Sequence, residues 1–377
     1  MIRSYKIRLY PTKEQEELMW KHIGSSRYVW NYMLAKQQEV REQGGKHLSA
    51  FDMIRALTPL KNDGEHDWLY DVSNKTLQIT CQDLQRAYEK FFKKQAGFPS
   101  FKSRKRSKLS FPANGMIYFQ NGLVVIERLK KVKYKTDFKL PQGKGHKFSN
   151  PRISYVNGKW MLAFGMEREK QAVKLTDKAM GVDLGVKDLV SAAYGDEQIV
   201  FHNINKSKRM RRFNKQLLHI QRSISRKYEA NRQGKKYVKT NNIIREEEKL
   251  RKLCRRMANI RHNYVHQVTH GLVLKQPYRV VMEDLNVTGM IRNRHLARAI
   301  AEQNFAEFIR QMQYKCEDRG IEFVQADRFY PSSKTCSCCG CVKQDLKLRD
   351  RTYICNECGA VIDRDYNAAL NLMRYAA

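Results

Sequence analysis

Two cysteine pairs, Cys336-x2-Cys339 and Cys355-x2-Cys358, separated by fifteen residues, set the tightest constraint on how this chain can fold. Each second cysteine is followed by glycine, Gly340 or Gly359, which lets the backbone turn closely around the thiolates. Two such knuckles converge on one tetrahedral ion, and a closed four-sulfur site is structural. One structural zinc held by Cys336, Cys339, Cys355 and Cys358 is therefore expected. Cys338-x2-Cys341 has the same spacing, but the glycine after Cys339 matches the other half-site, so Cys338 and Cys341 read as bystanders. The remaining cysteines, Cys81, Cys254 and Cys316, are scattered. That is the usage of a metal site in a reducing compartment, not of a disulfide framework.

Charge constrains the partner. The 377 residues carry 72 Lys and Arg against 38 Asp and Glu, a formal charge of +34. Such an excess repels itself on folding, and a polyanion, DNA or RNA, would supply the counter-charge. Charge alone does not separate an enzyme from a structural RNA-binding protein. The start lacks a signal-peptide pattern, and no apolar run reaches the roughly 18–20 residues of a membrane span. A cytoplasmic protein with no membrane partner is expected, associated with the nucleoid when bound to DNA.

The chain is long enough for two or three domains. Residues 2–10 read as a strand, after which Thr12 with Gln15 signals a capped helix whose apolar stripe includes Leu18, Ile23, Val29 and Leu34. Further helices are expected over 50–57 and 74–93, ending at the basic run 101–108. Residues 109–170 alternate as short strands, over Met116–Phe119, Leu123–Ile126, Arg152–Val156 and Trp160–Met166, with hairpin signals at Asn121-Gly122 and Asn157-Gly158. The strand at 2–10 can join them, with the helical block inserted between. From residue 178 an α/β pattern follows: a hairpin around Gly185, basic helices, a strand at 279–283, a helix over 297–319, a strand at 322–326 and a last helix at 366–375.

Three acids stand at element ends: Asp183 and Glu283 on strands, and Asp365 just before the last helix. Singly, each reads as a solvated acid. Together they can share a site, and carboxylates crowded in so basic a protein call for cations. Two Mg²⁺ ions would neutralise them and promote phosphodiester cleavage. Asp284 should point to the opposite face from Glu283, and Asp188 lies beyond the Gly185 turn. Asp363 can share the face of Asp365 if that stretch is extended.

At this point the sequence resembles the TnpB family, nucleases encoded by IS200/IS605- and IS607-type transposons and related to type V CRISPR effectors. The resemblance runs through Arg8-Leu9-Tyr10-Pro11-Thr12, Gly24, Arg27 and Asn31, Phe101-Lys102-Ser103, and Gly181-Val182-Asp183-Leu184-Gly185. It continues through Glu283-Asp284-Leu285-Asn286, Ser332-Ser333-Lys334-Thr335-Cys336 and Asp363-Arg364-Asp365-Tyr366-Asn367-Ala368-Ala369. It implies a multidomain α+β protein. An N-terminal β-barrel wedge domain (1–10 and 109–175) would carry an inserted helical recognition domain (11–108). An RNase H-like (RuvC) α/β nuclease domain (176–330 and 361–377) would carry a zinc-ribbon insert (331–360) that binds target nucleic acid.

The resemblance further implies an RNA-guided, Mg²⁺-dependent DNA endonuclease. One chain would bind one guide RNA derived from the transposon end and cut double-stranded DNA beside a short adjacent motif. The family's catalytic acids fall on Asp183, Glu283 and Asp365; all three are intact, which argues against nuclease-dead relatives. The alternatives are a guide-RNA-dependent DNA-binding protein without cleavage and a strand-transfer transposase. Residues 201–270 hold 20 Lys and Arg against 4 acids. Backbone contacts are expected from Lys102, Arg104, Lys105, Arg106, Arg209, Arg211, Arg212, Arg255, Arg256 and Arg261.

Overall fold

The computed structural model describes residues 2–169, 173–234, 236–347 and 350–375. The chain divides into two compact units, 1–169 and 170–377.

The first unit runs β1 (Ile2–Tyr10), α1 (Lys13–Glu42), α2 (Ala50–Arg55), α3 (Leu57–Lys61), α4 (Asn74–Phe92), β2 (Ser110–Pro112), β3 (Ile117–Gln120), β4 (Leu123–Ile126), β5 (Lys130–Lys135), β6 (Ser149–Val156) and β7 (Lys159–Glu167). Its strands form one seven-stranded sheet in the order β2-β6-β7-β1-β5-β4-β3. The N-terminal strand lies inside this sheet, antiparallel to β7 and β5. Asn121-Gly122 and Asn157-Gly158 turn the β3–β4 and β6–β7 hairpins with positive φ at both residues of each pair, as a type I′ turn requires.

The expected β-barrel is not formed. Closure would need β2 to pair with β3, and no such ladder exists among the described residues. Both outer edges have other partners. The Gly143 N–H donates to the Phe119 carbonyl of β3 at 2.8 Å, and the Thr76 hydroxyl of α4 donates to the Pro112 carbonyl of β2 at 2.8 Å. Pro112 also lacks an N–H to offer a ladder. The sheet covers its apolar face with α1, whose Met19 and Ile23 pack among Phe119, Val124, Ile153, Leu162 and Phe164.

The second unit runs β8 (Ala179–Leu184), β9 (Asp188–Tyr194), β10 (Glu197–His202), α5 (Lys208–Ala230), β11 (Arg232–Gln233), β12 (Lys236–Tyr237), α6 (Asn241–Leu274), β13 (Arg279–Glu283), α7 (Val287–Arg292), α8 (Ala297–Gln303), α9 (Phe305–Arg319), β14 (Glu322–Ala326), β15 (Thr352–Ile354), β16 (Val361–Asp363) and α10 (Arg364–Met373). Its five-stranded sheet, in the order β10-β9-β8-β13-β14, is parallel across β8, β13 and β14 and antiparallel across β8, β9 and β10. Helices α6 and α9 bury Val265, Val268, Phe308 and Met312 on one face, and Leu372 of α10 packs on the other. The single helix expected over 297–319 is two, because Asn304 adopts a left-handed conformation (φ 57°) between α8 and α9.

At the start of α1, Thr12 and Gln15 form the expected reciprocal cap. The Gln15 amide also donates to the carbonyls of Leu129 and Lys131, at 3.0 and 2.9 Å, pinning the helix to the start of β5. Thr12→Ala should therefore cost about 1 kcal/mol, the usual cost of losing a cap. Gln15→Ala should cost more, about 1–2 kcal/mol, because two carbonyls also lose a donor. All four tryptophans (Trp20, Trp30, Trp68 and Trp160) lie in this unit, so urea unfolding followed by tryptophan fluorescence reads it alone. Equal losses in the two variants would show that the tie to β5 contributes nothing.

Candidate active site and metal centre

Strand alternation decides where the acids point. Met180 and Val182 of β8, with Val280 and Met282 of β13, sit in the core beneath α6 and α9. Gly181 and Asp183, like Val281 and Glu283, therefore face α10. The parallel register pairs Val182 with Met282. One step further, it sets Asp183 beside Glu283 at the carboxyl ends of adjacent strands.

Asp365 arrives from the helix. A Cβ on Gly181 would stand 2.0 Å from the Ala369 carbonyl oxygen and 2.3 Å from the Met373 nitrogen, so α10 lies directly on bare backbone. That contact brings the first turn of α10 over Asp183. Asp365 is inside the helix rather than before it, one residue after Arg364, whose guanidinium meets its carboxylate at 3.1 Å. Burial pushes the Asp183 carboxyl well above the usual carboxylate range, and the Glu283 and Asp365 carboxylates raise it further; Arg364 offsets only part of this.

The neighbouring acids have other partners. Asp363 caps α10, accepting from the N–H groups of Asp365 and Tyr366 at 3.0 and 3.1 Å. Asp284 pairs with Arg328 at 2.5 Å, and Asp188 with His202 at 2.7 Å. Glu283 accepts from the Ser332 hydroxyl, a contact that no spacing in the sequence announces.

The metal centre is built from the two knuckles. Cys336, Cys339, Cys355 and Cys358 place all four sulfurs within 4.8 Å of one another. The Cys336–Cys358 and Cys339–Cys355 pairs are 3.7 and 3.5 Å apart. A tetrahedral ion with bonds of about 2.3 Å spaces its sulfurs about 3.8 Å apart, so the set fits one such ion. Both knuckles share one backbone pattern. The first cysteine N–H donates five residues on (Cys336 to Cys341, Cys355 to Ala360), and the glycine after the second cysteine has positive φ. Cys338 and Cys341 stand outside the cluster. The three acids are more widely spread than the sulfurs, whereas His262, His266 and Glu307 also fall within 4.8 Å of one another.

Both knuckles are tied to α10. The second leads through β16 into the Asp363 cap. The first is held by Asn367 and Asn371, one turn apart, whose amides donate to the Thr335 carbonyl at 2.7 and 2.6 Å; Asn371 also reaches the Ser332 carbonyl at 2.7 Å. Asn367 receives the Ser337 N–H at 2.9 Å. The motif that carries the resemblance contains Asn367 without giving it a role, and Asn371 lies beyond it; their i,i+4 spacing in α10 is the available signal.

The basic residues divide. Arg104, Lys105, Arg106, Arg209, Arg211, Arg212 and Arg256 are exposed, and Arg255 is half-buried. Lys102 instead turns inward: its ammonium sits 3.3 Å over the Trp30 ring, and Asn31 brackets its backbone. Burial lowers its pKa to about 8. Arg261 is held by Asn205 at 2.7 Å and Glu302 at 3.2 Å.

Three family models match the chain. The "Helix-turn-helix domain" covers 1–46, "Probable transposase" covers 163–294, and "Cas12f1-like, TNB domain" covers 305–372. In the first of these regions the structure has β1 and the single long helix α1. A "Putative RNA-guided DNA endonuclease" of Streptomyces pristinaespiralis is 31% identical, with 98% of this chain and 88% of that one covered. A second, InsQ of Escherichia coli K12, is 29% identical over 99% and 92%. Among solved structures, the fold resembles Cas12f1 from its complex with sgRNA and target DNA, at a TM-score of 0.55, 15% identity and coverage of 99% and 98%. A basic chain with acids gathered on a mixed sheet and a four-cysteine metal site is of the nuclease class. It belongs to the TnpB family of transposon-associated, RNA-guided DNA endonucleases. No helix among the described residues is long and apolar enough to cross a membrane.

The bare strand under α10 yields a direct test. Gly181→Ala must push backbone against backbone and should cost about 1–3 kcal/mol. Gly271→Ala, within α6 and 3.7 Å from its nearest neighbour, Phe201, should instead gain up to about 1 kcal/mol of helix propensity. Thermal unfolding followed by circular dichroism compares the two; a Gly181→Ala protein as stable as the parent would refute the close approach.

Proposed function

We propose that the chain cuts double-stranded DNA beside a short transposon-adjacent motif, directed by an RNA derived from the transposon end. Cleavage is hydrolytic, at Asp183, Glu283 and Asp365. The observation that supports this reading is that Glu283, from the neighbouring strand end, and Asp365, from the first turn of α10, both act on the buried Asp183 carboxyl. Supporting it are the family, the +34 charge and the other engagements of Asp363, Asp284 and Asp188.

The donor set suits a hard divalent cation, since it offers only carboxylate oxygens. Two Mg²⁺ ions bound by Asp183, Glu283 and Asp365 would acidify the attacking water and stabilise the departing 3′ oxygen. The chain's own part is positioning. β8 and β13 hold two carboxylates in register, Ser332 orients Glu283, and Arg364 holds Asp365. Turn residues behind Asp183 are fixed by Gln303, which donates to the Gly185 carbonyl at 3.1 Å, and by Asn203, which donates to the Val186 carbonyl at 2.8 Å. The four thiolates suit zinc, which here is structural and keeps the segment before α10 in place. Guide and target backbones are held by the exposed Arg104, Lys105, Arg106, Arg209, Arg211, Arg212 and Arg256. Lys102 and Arg261, engaged within the protein, support those surfaces.

Metal analysis of the purified protein should find zinc in the cysteine site of the parent and of Cys338→Ser, and none there in Cys358→Ser. Zinc retained by Cys358→Ser at parental affinity would move the site to another register.

The cleavage assay uses purified protein, RNA transcribed from the transposon end, a matched duplex and Mg²⁺. Since losing even a residue that only supports a metal ligand costs about 10–100-fold, losing a ligand should cost at least about 100-fold. Asp183→Ala, Glu283→Ala and Asp365→Ala should fall that far while RNA and duplex binding hold. Asp363→Ala, which loses a helix cap, should keep most activity. Loss in Asp363→Ala with cutting preserved in Asp365→Ala would transfer the role to Asp363. Guided binding without cutting by the parent would favour the non-cleaving alternative.

A further inference from the structure

On α6, His262 and His266 stand one turn apart and face the start of α9, where Glu307 is placed. Their rings lie edge to face, with centroids 4.7 Å apart and planes at 84°. His262 Nδ1 is 3.7 Å from Glu307 Oε1, and one donor atom from each of the three residues falls within a 4.8 Å group. We infer that His262, His266 and Glu307 form a second metal site, distinct from the cysteine centre, for a divalent ion of the zinc class.

The donor chemistry selects the ion. Two imidazoles and one carboxylate are a zinc-type ligand set that leaves a fourth position for water, whereas Mg²⁺ prefers oxygen alone. Helical i,i+4 spacing puts both histidines on one face, so two ligands need no loop to assemble them. Glu307 is already oriented: it accepts from Arg310 at 2.7 and 2.8 Å and from Gln311 at 2.8 Å. Two of those bonds end on Oε1 and one on Oε2, so of about four acceptor positions on a carboxylate the one left for an ion is on Oε2. The nearby Lys315 ammonium is directed at the His266 carbonyl, 2.9 Å away, and at the Thr269 hydroxyl, 2.6 Å away. Arg310 and Lys315 nonetheless oppose a cation, so this site binds more weakly than four thiolates and fills when metal is supplied.

An ion here joins two elements. Helices α6 and α9 already share the Thr269–Gln311 hydrogen bond at 3.0 Å, and the metal would clamp them one to two turns further along. Since binding to the folded state alone stabilises it, added metal should raise the melting temperature of the second unit.

The probe is Co²⁺, added to untagged full-length protein that retains its cysteine-bound ion. One added equivalent should give visible d–d absorption without the thiolate-to-cobalt charge-transfer band that cysteine ligation produces. Exposed His262 can be changed with little risk to folding: His262→Gln should weaken this binding at least about tenfold, and His262→Gln with His266→Gln should abolish it. Cys338→Ser should leave it unchanged. Absence of the visible band, its survival in the double variant, or a thiolate charge-transfer band in its place would each overturn the site. Because the readout is spectroscopic, it stands whether or not the protein cuts DNA.

Discussion

The second unit is organised around a missing side chain. Without a Cβ at Gly181, α10 can rest its backbone on β8, and every later relation follows from that depth. Parity along β8 puts Asp183 two residues on, on the same face. The parallel partner β13 repeats the parity with Val281 and Glu283. A helix standing off by a methyl group would still bury Leu372, but its first turn would no longer be set against the acids. The energetic conflict is visible in Asp183, whose carboxyl is pushed upward by burial and by its neighbours. Two carboxylates stand where they oppose ionisation of a third, buried one, an arrangement that clusters at functional sites.

The cysteine centre and α10 form one mechanical piece. Asn367 and Asn371 grip the chain entering the first knuckle, while the second knuckle feeds through β16 into the helix cap. Metal-bound thiolates hold residues far more firmly than the few apolar contacts around Tyr353 could. A segment with little core of its own thus gains a fixed shape, and α10 shares it.

Much of this was legible in the sequence. The glycines that follow the second cysteine of each knuckle, Gly340 after Cys339 and Gly359 after Cys358, distinguished the register, because the turn needs positive φ there. Alternation in Met180–Asp183 and Val280–Glu283 separated Glu283 from Asp284. Closure of the N-terminal sheet was not legible: strand patterns report which face is apolar, not whether two distant edges meet. Strand β2 was hidden by its brevity and by Pro112, and β5 by the lysines that alternate with Val132 and Tyr134. The break at Asn304 escaped because Ile300, Phe308 and Met312 keep one stripe through it. Lys102 sat in a basic run, and nothing local told that Trp30, 72 positions earlier, would cover its ammonium.

The occupied edges of the seven-stranded sheet have a consequence for how copies of the chain behave in company. A polyanion concentrates a strongly basic protein along its length, and crowding favours strand-to-strand adhesion wherever an edge offers unpaired N–H and C=O groups. Here Gly143 stands at one border and Thr76, with a proline beside it, at the other. Each margin therefore offers a neighbouring copy fewer unpaired groups, which limits strand-to-strand adhesion at the borders of the sheet.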